Sequence, residues 1–246
     1  MQAVIHQAFM LNATAGALPL RMRLYHLTSL EAAEKYILPE KRMRLGRFSR
    51  MNDPFELMCF NSGEPDERYI FRMLRDRWEK SLGLICFGKH WKSPVMWAHY
   101  AKSHTGICLG FDVPEDCPKK MIYEPERLKW AVDFAKPIRG VDHSLLEKVI
   151  TTKYEQWAYE EEWRIFANLE DPDPLNGEYY LNFGPNLTLR EIIVGANCQK
   201  SVGSFRKLVG DVEQSVTIIK ARPAFDTFSM VKQQRVKPIV VLPKLR

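Results

Sequence analysis

The sequence predicts an α+β fold: a single domain of short mixed or antiparallel strands with flanking helices. Three observations carry that expectation. Short apolar runs bounded by Gly, Pro or Asp outnumber helical patterns. The helical patterns concentrate in the first half of the chain. No internal repeat, low-complexity tract or long linker divides the 246 residues. The expected limits are a leader over residues 1–21, one domain over 22–222 and a basic tail over 223–246.

Taken in order, Arg23 to Leu27 reads as a strand, and Thr28-Ser29-Leu30-Glu31 reads as a capping box with Thr28 as N-cap and Glu31 three residues on. That helix should stop at Pro39, whose ring and missing N–H end a helix. Leu45 to Phe48 is a second strand candidate, and Asp53-Pro54-Phe55-Glu56 has the spacing of a helix start. Ile70, Met73, Leu74 and Trp78 recur at helical spacing within residues 65–80. Leu82 to Phe87 and Gly106 to Phe111 are apolar strands, with a helix capped by Ser93 between them and reaching His104. Further strands are expected at 121–123, 131–134, 163–167, 179–183, 191–194 and 216–221, and helices at 142–153 and 201–209.

Bulk properties restrict function only loosely. A net charge of +6 suits an anionic partner such as a nucleotide or nucleic acid without requiring one. Five cysteines, odd in number and without a Cys-x-x-Cys pair, fit reduced thiols and a cytoplasmic protein. The leader lacks a basic start and is interrupted by Gln7 and Asn12, so it is not read as a signal peptide. No stretch approaches the length of a membrane span, so no membrane partner is expected.

Chemistry-bearing residues gather at three places. His26 lies in Tyr-His-Leu-Thr-Ser, Trp97, Tyr100, Ala101 and His104 share a helical stripe, and Glu160 and Glu162 precede an apolar strand. If residues 159–166 are extended, Glu160, Glu162 and Arg164 share one face. Two carboxylates entering a core are costly unless their charge is used. The plain alternative is an Arg164–Glu162 pair on a solvated strand end. A hydrogen-bonded core histidine and an aromatic packing stripe are the matching alternatives elsewhere. No Cys/His spacing suits zinc, no Gly-x-Ser-x-Gly is present, and neither a Walker nor a Gly-x-Gly-x-x-Gly loop occurs. A nuclease is disfavoured because the acidic strand shows no nearby lysine partner.

Four motifs in order resemble a bacterial family of unknown function, DUF2971. They are Tyr-His-Leu-Thr-Ser, Ser-Arg-Met-Asn-Asp-Pro-Phe-Glu, Ile-Cys-Phe…Met-Trp-Ala-His-Tyr-Ala…His-Thr-Gly-Ile-Cys-Leu-Gly-Phe-Asp, and Trp-Ala-Tyr-Glu-Glu-Glu-Trp-Arg, spread over residues 22–195. Members of that family occur in bacterial and phage genomes, some near defence genes. The layout is also similar to the His–Tyr–Glu order of ADP-ribosyltransferases. That second resemblance implies a split sheet and NAD as substrate, with a macromolecular acceptor or hydrolysis, in a toxin or phage-defence setting. It would give His26 and Thr28 the ribose of NAD, Tyr100 or Trp97 the nicotinamide, and Glu162 the ribosyl cation. Glu160 would orient the acceptor. Ser93 and Tyr123 are alternatives for the middle position, and the family's second tyrosine has no counterpart. A non-catalytic module binding a nucleotide, a protein or a nucleic acid on the same scaffold is the competing expectation.

Overall fold

The computed structural model describes residues 20–129 and 143–244. In chain order the first half holds β1 (Arg21–Thr28), the helical run α1 (residues 30–40), β2 (Arg42–Arg44), α2 (Pro65–Ser81), β3 (Leu82–Gly88) and α3 (Pro94–Tyr100). It continues with β4 (Ile107–Pro114), β5 (Lys119–Lys120) and β6 (Ile122–Glu124). Then follow α4 (His143–Thr151), β7 (Thr152–Tyr154), β8 (Glu162–Asn168), β9 (Tyr180–Asn182) and β10 (Thr188–Val194). The chain closes with α5 (Ser204–Val209), β11 (Val216–Pro223), β12 (Met230–Lys232) and β13 (Ile239–Val241). The class is α+β. The expected strand at 131–134 and the helix start at Asp142 lie outside the described residues. No described helix is long and apolar enough to cross a membrane.

Contacts group the described residues into two units, the first made of 45–85 and 116–179, the second of 20–44, 86–115 and 180–244. The second unit is built on strands in the order β12-β11-β10-β4-β1, with β13 also on β11. β10 and β11 run parallel, and the other neighbours are antiparallel. β4 is central and buried on both faces, which is why it reads as an unbroken apolar run rather than an alternating one. Ile107, Cys108, Leu109 and Phe111 have no exposed surface, nor do Ile192, Ile193 and Val194 of β10. Residues 223–244 are not a free tail, because β12 and β13 both pair with β11.

Helix ends depart from expectation for local reasons. Ser29, not Thr28, caps α1: its hydroxyl accepts the Ala32 N–H at 3.1 Å, while Thr28 completes β1 opposite Ile107. The run passes Pro39 because a π-helical turn, Ala33–Ile37, sends the Leu38 N–H back to Ala33 and leaves Pro39 in the last turn. α3 stops at Tyr100, short of His104, because Lys102, Ser103 and His104 are all left-handed, with φ of 48°, 54° and 66°. Tertiary bonds hold that costly stretch, since Asn197 donates its backbone N–H to the His104 carbonyl at 3.0 Å.

In the first unit, α2 begins at Pro65 with the Glu67 carboxylate accepting the Glu64 N–H, and buries Phe71, Leu74 and Trp78. Met73, expected inside, is half exposed, and the buried stripe runs through Phe71 instead. β5 pairs antiparallel with β8, and β6 runs parallel to β7. Leu45 and Gly46 do not form the expected strand but make single bridging bonds to Tyr179 and Leu84, before a 3₁₀ turn, Phe48–Arg50. Asp53 to Glu56 forms a turn rather than a helix start, with the Asp53 carboxylate accepting the Phe55 N–H at 2.8 Å.

Candidate functional site: a buried charge network beside a cavity

Residues 155–160 form a 3₁₀ helix that ends on Glu161, left-handed at φ 43°, and β8 starts one residue later. The expected extended stretch from 159 is therefore broken. The break nevertheless turns Glu160 and Glu162 to the same place, because both meet the ammonium of Lys153. Lys153 Nζ donates to Glu160 Oε2 at 2.5 Å and to Glu162 Oε2 at 3.2 Å. It also lies 4.6 Å from the centre of the Trp157 ring, a cation–π contact. Lys153 sits in β7, directly after α4, and this is the lysine that the sequence reading of the acidic strand lacked.

Arg164 extends the network. Its Nε donates to Glu162 Oε1 at 2.8 Å and its Nη2 to Glu162 Oε2 at 3.2 Å. Its other edge grips Glu56 in a two-bond fork, 2.5 Å to Oε1 and 3.0 Å to Oε2. The Glu162 N–H donates to the Tyr123 hydroxyl at 2.8 Å. The Arg164–Glu162 pair is thus real, but it is not a solvated strand end: Arg164 is 1% exposed and Glu162 4%. Glu56, Lys153 and Glu160 are buried as well. Three carboxylates and two cations meet with almost no water, where charge is stable only if each group is held by hydrogen bonds.

Three groups here shift away from neutrality. Burial pulls Lys153 down, but Glu162 and Glu160 outweigh it and hold the ammonium above its ordinary value. Burial, aided by Glu162 and Glu160, pushes the Tyr123 phenol up to about 12. Burial likewise pushes the Cys59 thiol up to about 12. None of these three groups is poised as an acid, base or nucleophile at pH 7.

Against the network lies a cavity of about 260 Å³, lined by Phe55, Met58, Cys59, residues 124–127 and residues 152–154. Phe55 and Tyr154 expose about half of their surface, and the Arg127 guanidinium stands 4.9 Å from the centre of the Phe55 ring. Glu124 and Glu126 add carboxylates to the same wall, and Lys153 is the residue shared by cavity and network. Among the described residues no group of three or more His, Cys, Asp or Glu could hold a metal.

The remaining candidate residues belong to the second unit. His26, in β1, bonds through Nδ1 to the Cys86 carbonyl at 2.8 Å and meets the Phe87 ring edge-on. That acceptor places the proton on Nδ1, and burial lowers the histidine's pKa, so the ring is neutral. Trp97 has no exposed surface, and its indole N–H donates to the Trp91 carbonyl at 2.6 Å. It packs with Leu27, Ala101, Cys108 and Ile193, and Tyr100 lies against that cluster. Trp97 therefore occupies a core position, and Thr28 is buried at the end of its strand. The network residues Glu56 and Lys153 were not read as site residues from sequence. Neither carried a signal of its own: Lys153 lies in the polar run Thr151-Thr152-Lys153-Tyr154-Glu155-Gln156, and Asp53-Pro54-Phe55-Glu56 mimics a helix start.

Neither the curated proteins nor the solved structures contain a match to this chain. A family model does match over residues 96–165, a segment that contains most of α3, all of β4, and Lys153, Glu160, Glu162 and Arg164 but not His26 or Glu56. The model is that of DUF2971, a protein family of unknown function, and the resemblance of this chain to that family holds over residues 96–165.

Proposed function

We propose that the first unit is a non-catalytic binding module for a nucleotide-class small molecule. The cavity carries the reading. Phe55, Met58 and Tyr154 offer apolar and aromatic surface to a base, Glu124 and Glu126 offer acceptors to amino or hydroxyl donors, and Arg127 offers a cation to phosphate. Its volume of about 260 Å³ sits just under the roughly 300 Å³ at which ligand pockets ordinarily begin. One nucleoside moiety suits that space and a whole dinucleotide does not. The charge network fixes the wall behind it. Lys153, Tyr123 and Cys59 all shift away from neutral pH, which favours binding over acid–base chemistry by these groups.

An NAD-dependent ADP-ribosyltransferase is the second reading, and the convergence of Glu160 and Glu162 on Lys153 favours it. In that reading the carboxylate of Glu162 opposes charge developing on the ribose of NAD, and the acceptor is a protein or nucleic acid in a bacterial or phage conflict. The two cations already bound to Glu162 weaken its field at any substrate. One experiment separates the readings. Calorimetric titration with AMP, ATP, NAD and nicotinamide is run beside an assay of nicotinamide release, on the parent and on Glu162→Gln and Glu161→Gln. The expected result is mononucleotide binding, weakened by Phe55→Ala and Tyr154→Ala, with no nicotinamide released. Glu162→Gln is expected to lower stability, because it loosens Lys153 and Arg164, while exposed Glu161→Gln leaves stability nearly unchanged. Release of nicotinamide by the parent, lost in Glu162→Gln and kept in Glu161→Gln, would replace the binding reading with the transferase.

A further inference from the structure

The turn between β11 and β12 carries two phenylalanines with essentially their whole side chains in solvent. Phe225 is 93% exposed and Phe228 102%. The turn is nonetheless well tied. The Ala224 N–H reaches the Ser229 carbonyl at 2.8 Å, and the Ser229 N–H reaches the Thr227 carbonyl at 2.9 Å. At its base Met230 is 1% exposed, packed in the same core cluster as Trp97, with Trp91 against it. The Met230 N–H also donates to the Lys92 carbonyl at 2.8 Å, which joins the loop Lys89-His90-Trp91-Lys92 to the hairpin. An anchored base and a bare aromatic tip are the opposite of what burial of apolar surface produces by default.

The sequence of this last stretch is one-sided in charge. From Val216 to Arg246 the chain has seven Lys or Arg against the single acid Asp226, a net of +6 that equals the excess of the entire chain. Lys92, Lys232, Arg235 and Lys237 are exposed. The Arg222 guanidinium lies 4.3 Å from the centre of the Phe225 ring, covering one face of that ring with a cation.

We propose that this hairpin binds single-stranded nucleic acid, with Phe225 and Phe228 stacking on unpaired bases and the flanking lysines and arginines contacting phosphates. Aromatic platforms set in basic surface are the physical requirement for that ligand, because every base has a stackable face and every linkage a negative charge. A duplex keeps its bases stacked on one another and offers such rings no partner. An anionic lipid surface also attracts cations beside exposed rings, but Asp226 lies between the two phenylalanines at the tip. Inserting the tip would carry an ionised carboxylate into the membrane interface. The inference concerns the second unit alone and stands apart from the reading of the cavity in the first.

The test uses the full chain and a fluorescent twelve-base oligonucleotide, as single-stranded DNA, single-stranded RNA and duplex, followed by polarisation across a salt series. Co-sedimentation with phosphatidylcholine vesicles containing phosphatidylserine runs beside it. Both rings are already in solvent, so Phe225→Ser/Phe228→Ser is expected to keep the parent's melting temperature. Losing a base-stacking ring typically weakens binding by about 5-fold or more, so the double variant should bind a single strand at least about 25-fold more weakly. Lys232→Gln is expected to flatten the salt dependence by about one phosphate contact. The inference is overturned if the parent binds no single strand, if the double variant binds as the parent does, or if duplex is bound as tightly as single strand. Binding to vesicles alone, abolished by the double variant, would overturn it in favour of a lipid surface.

Discussion

Replacing Arg164 with Met is expected to cost about 3–5 kcal/mol of stability, the largest effect of any single change in the charge network. The methionine fills most of the space left by the arginine stem, so packing is not the cause. The loss comes from Glu56 and Glu162, which remain buried with their bonds of 2.5 to 3.2 Å to the guanidinium removed. Of the two cations that met the three carboxylates, only Lys153 would then remain, bonded to Glu160 and Glu162. Removing Glu56 together with Arg164, as a double change to methionine, should cost less than the sum of the two single changes, because it also removes a stranded charge. Denaturant unfolding of the parent, both single variants and the double variant measures this coupling directly. A loss of 1 kcal/mol or less for Arg164→Met is the value of an exposed pair and would mean that water reaches the network in solution.

Gly195→Ala is expected to be comparably damaging, at about 3 kcal/mol or more, beyond the usual range for one added methyl group. A Cβ there would stand 2.3 Å from the His104 carbonyl oxygen and 2.6 Å from that of Gly106. Both obstacles are backbone, and both are already engaged: Gly195 donates to the Gly106 carbonyl and Asn197 to that of His104, each at 3.0 Å. The left-handed stretch 102–104 cannot withdraw without giving up these bonds. Gly203 is the control, since the nearest atoms to a Cβ there are 3.7 and 3.8 Å away. Gly203→Ala should change stability by no more than about 0.5 kcal/mol. Equal melting temperatures for the two variants would show that the 102–106 segment yields easily.

Features carried by short-range pattern were legible in the sequence. α2 announced itself through an apolar repeat at helical spacing within residues 65–80. β3 and β4 did so through unbroken apolar runs flanked by breakers. Features set by distant partners were not. Asp53-Pro54-Phe55-Glu56 has the local marks of a helix start, and the same Asp53 carboxylate serves a turn instead by accepting the Phe55 N–H. Glu56 is claimed by an arginine 108 residues later. Lys153 was hidden differently. It falls where a helix hands over to a three-residue strand, so neither period applies to it. Glu160 and Glu162 were read together from an alternation that the left-handed Glu161 in fact breaks, and Lys153 is what brings them to one place. The α3 stripe was legible as a stripe but not in its length, because Asn197 and Gly195 decide where it ends.

The separation between Glu56 and Arg164 also dictates a timetable during translation. At roughly 5–20 residues per second, a ribosome that has released Glu56 needs about 5–20 s more to deliver the arginine that neutralises it. Throughout that interval the glutamate must stay hydrated, so the segment around it cannot close into its final dry environment. The first unit is interrupted by residues 86–115, which belong to the second, and is complete only once residue 179 has emerged. A nascent chain arrested before residue 164 has emerged should therefore remain open to protease around Glu56, and full protection should arrive only once residue 179 is out.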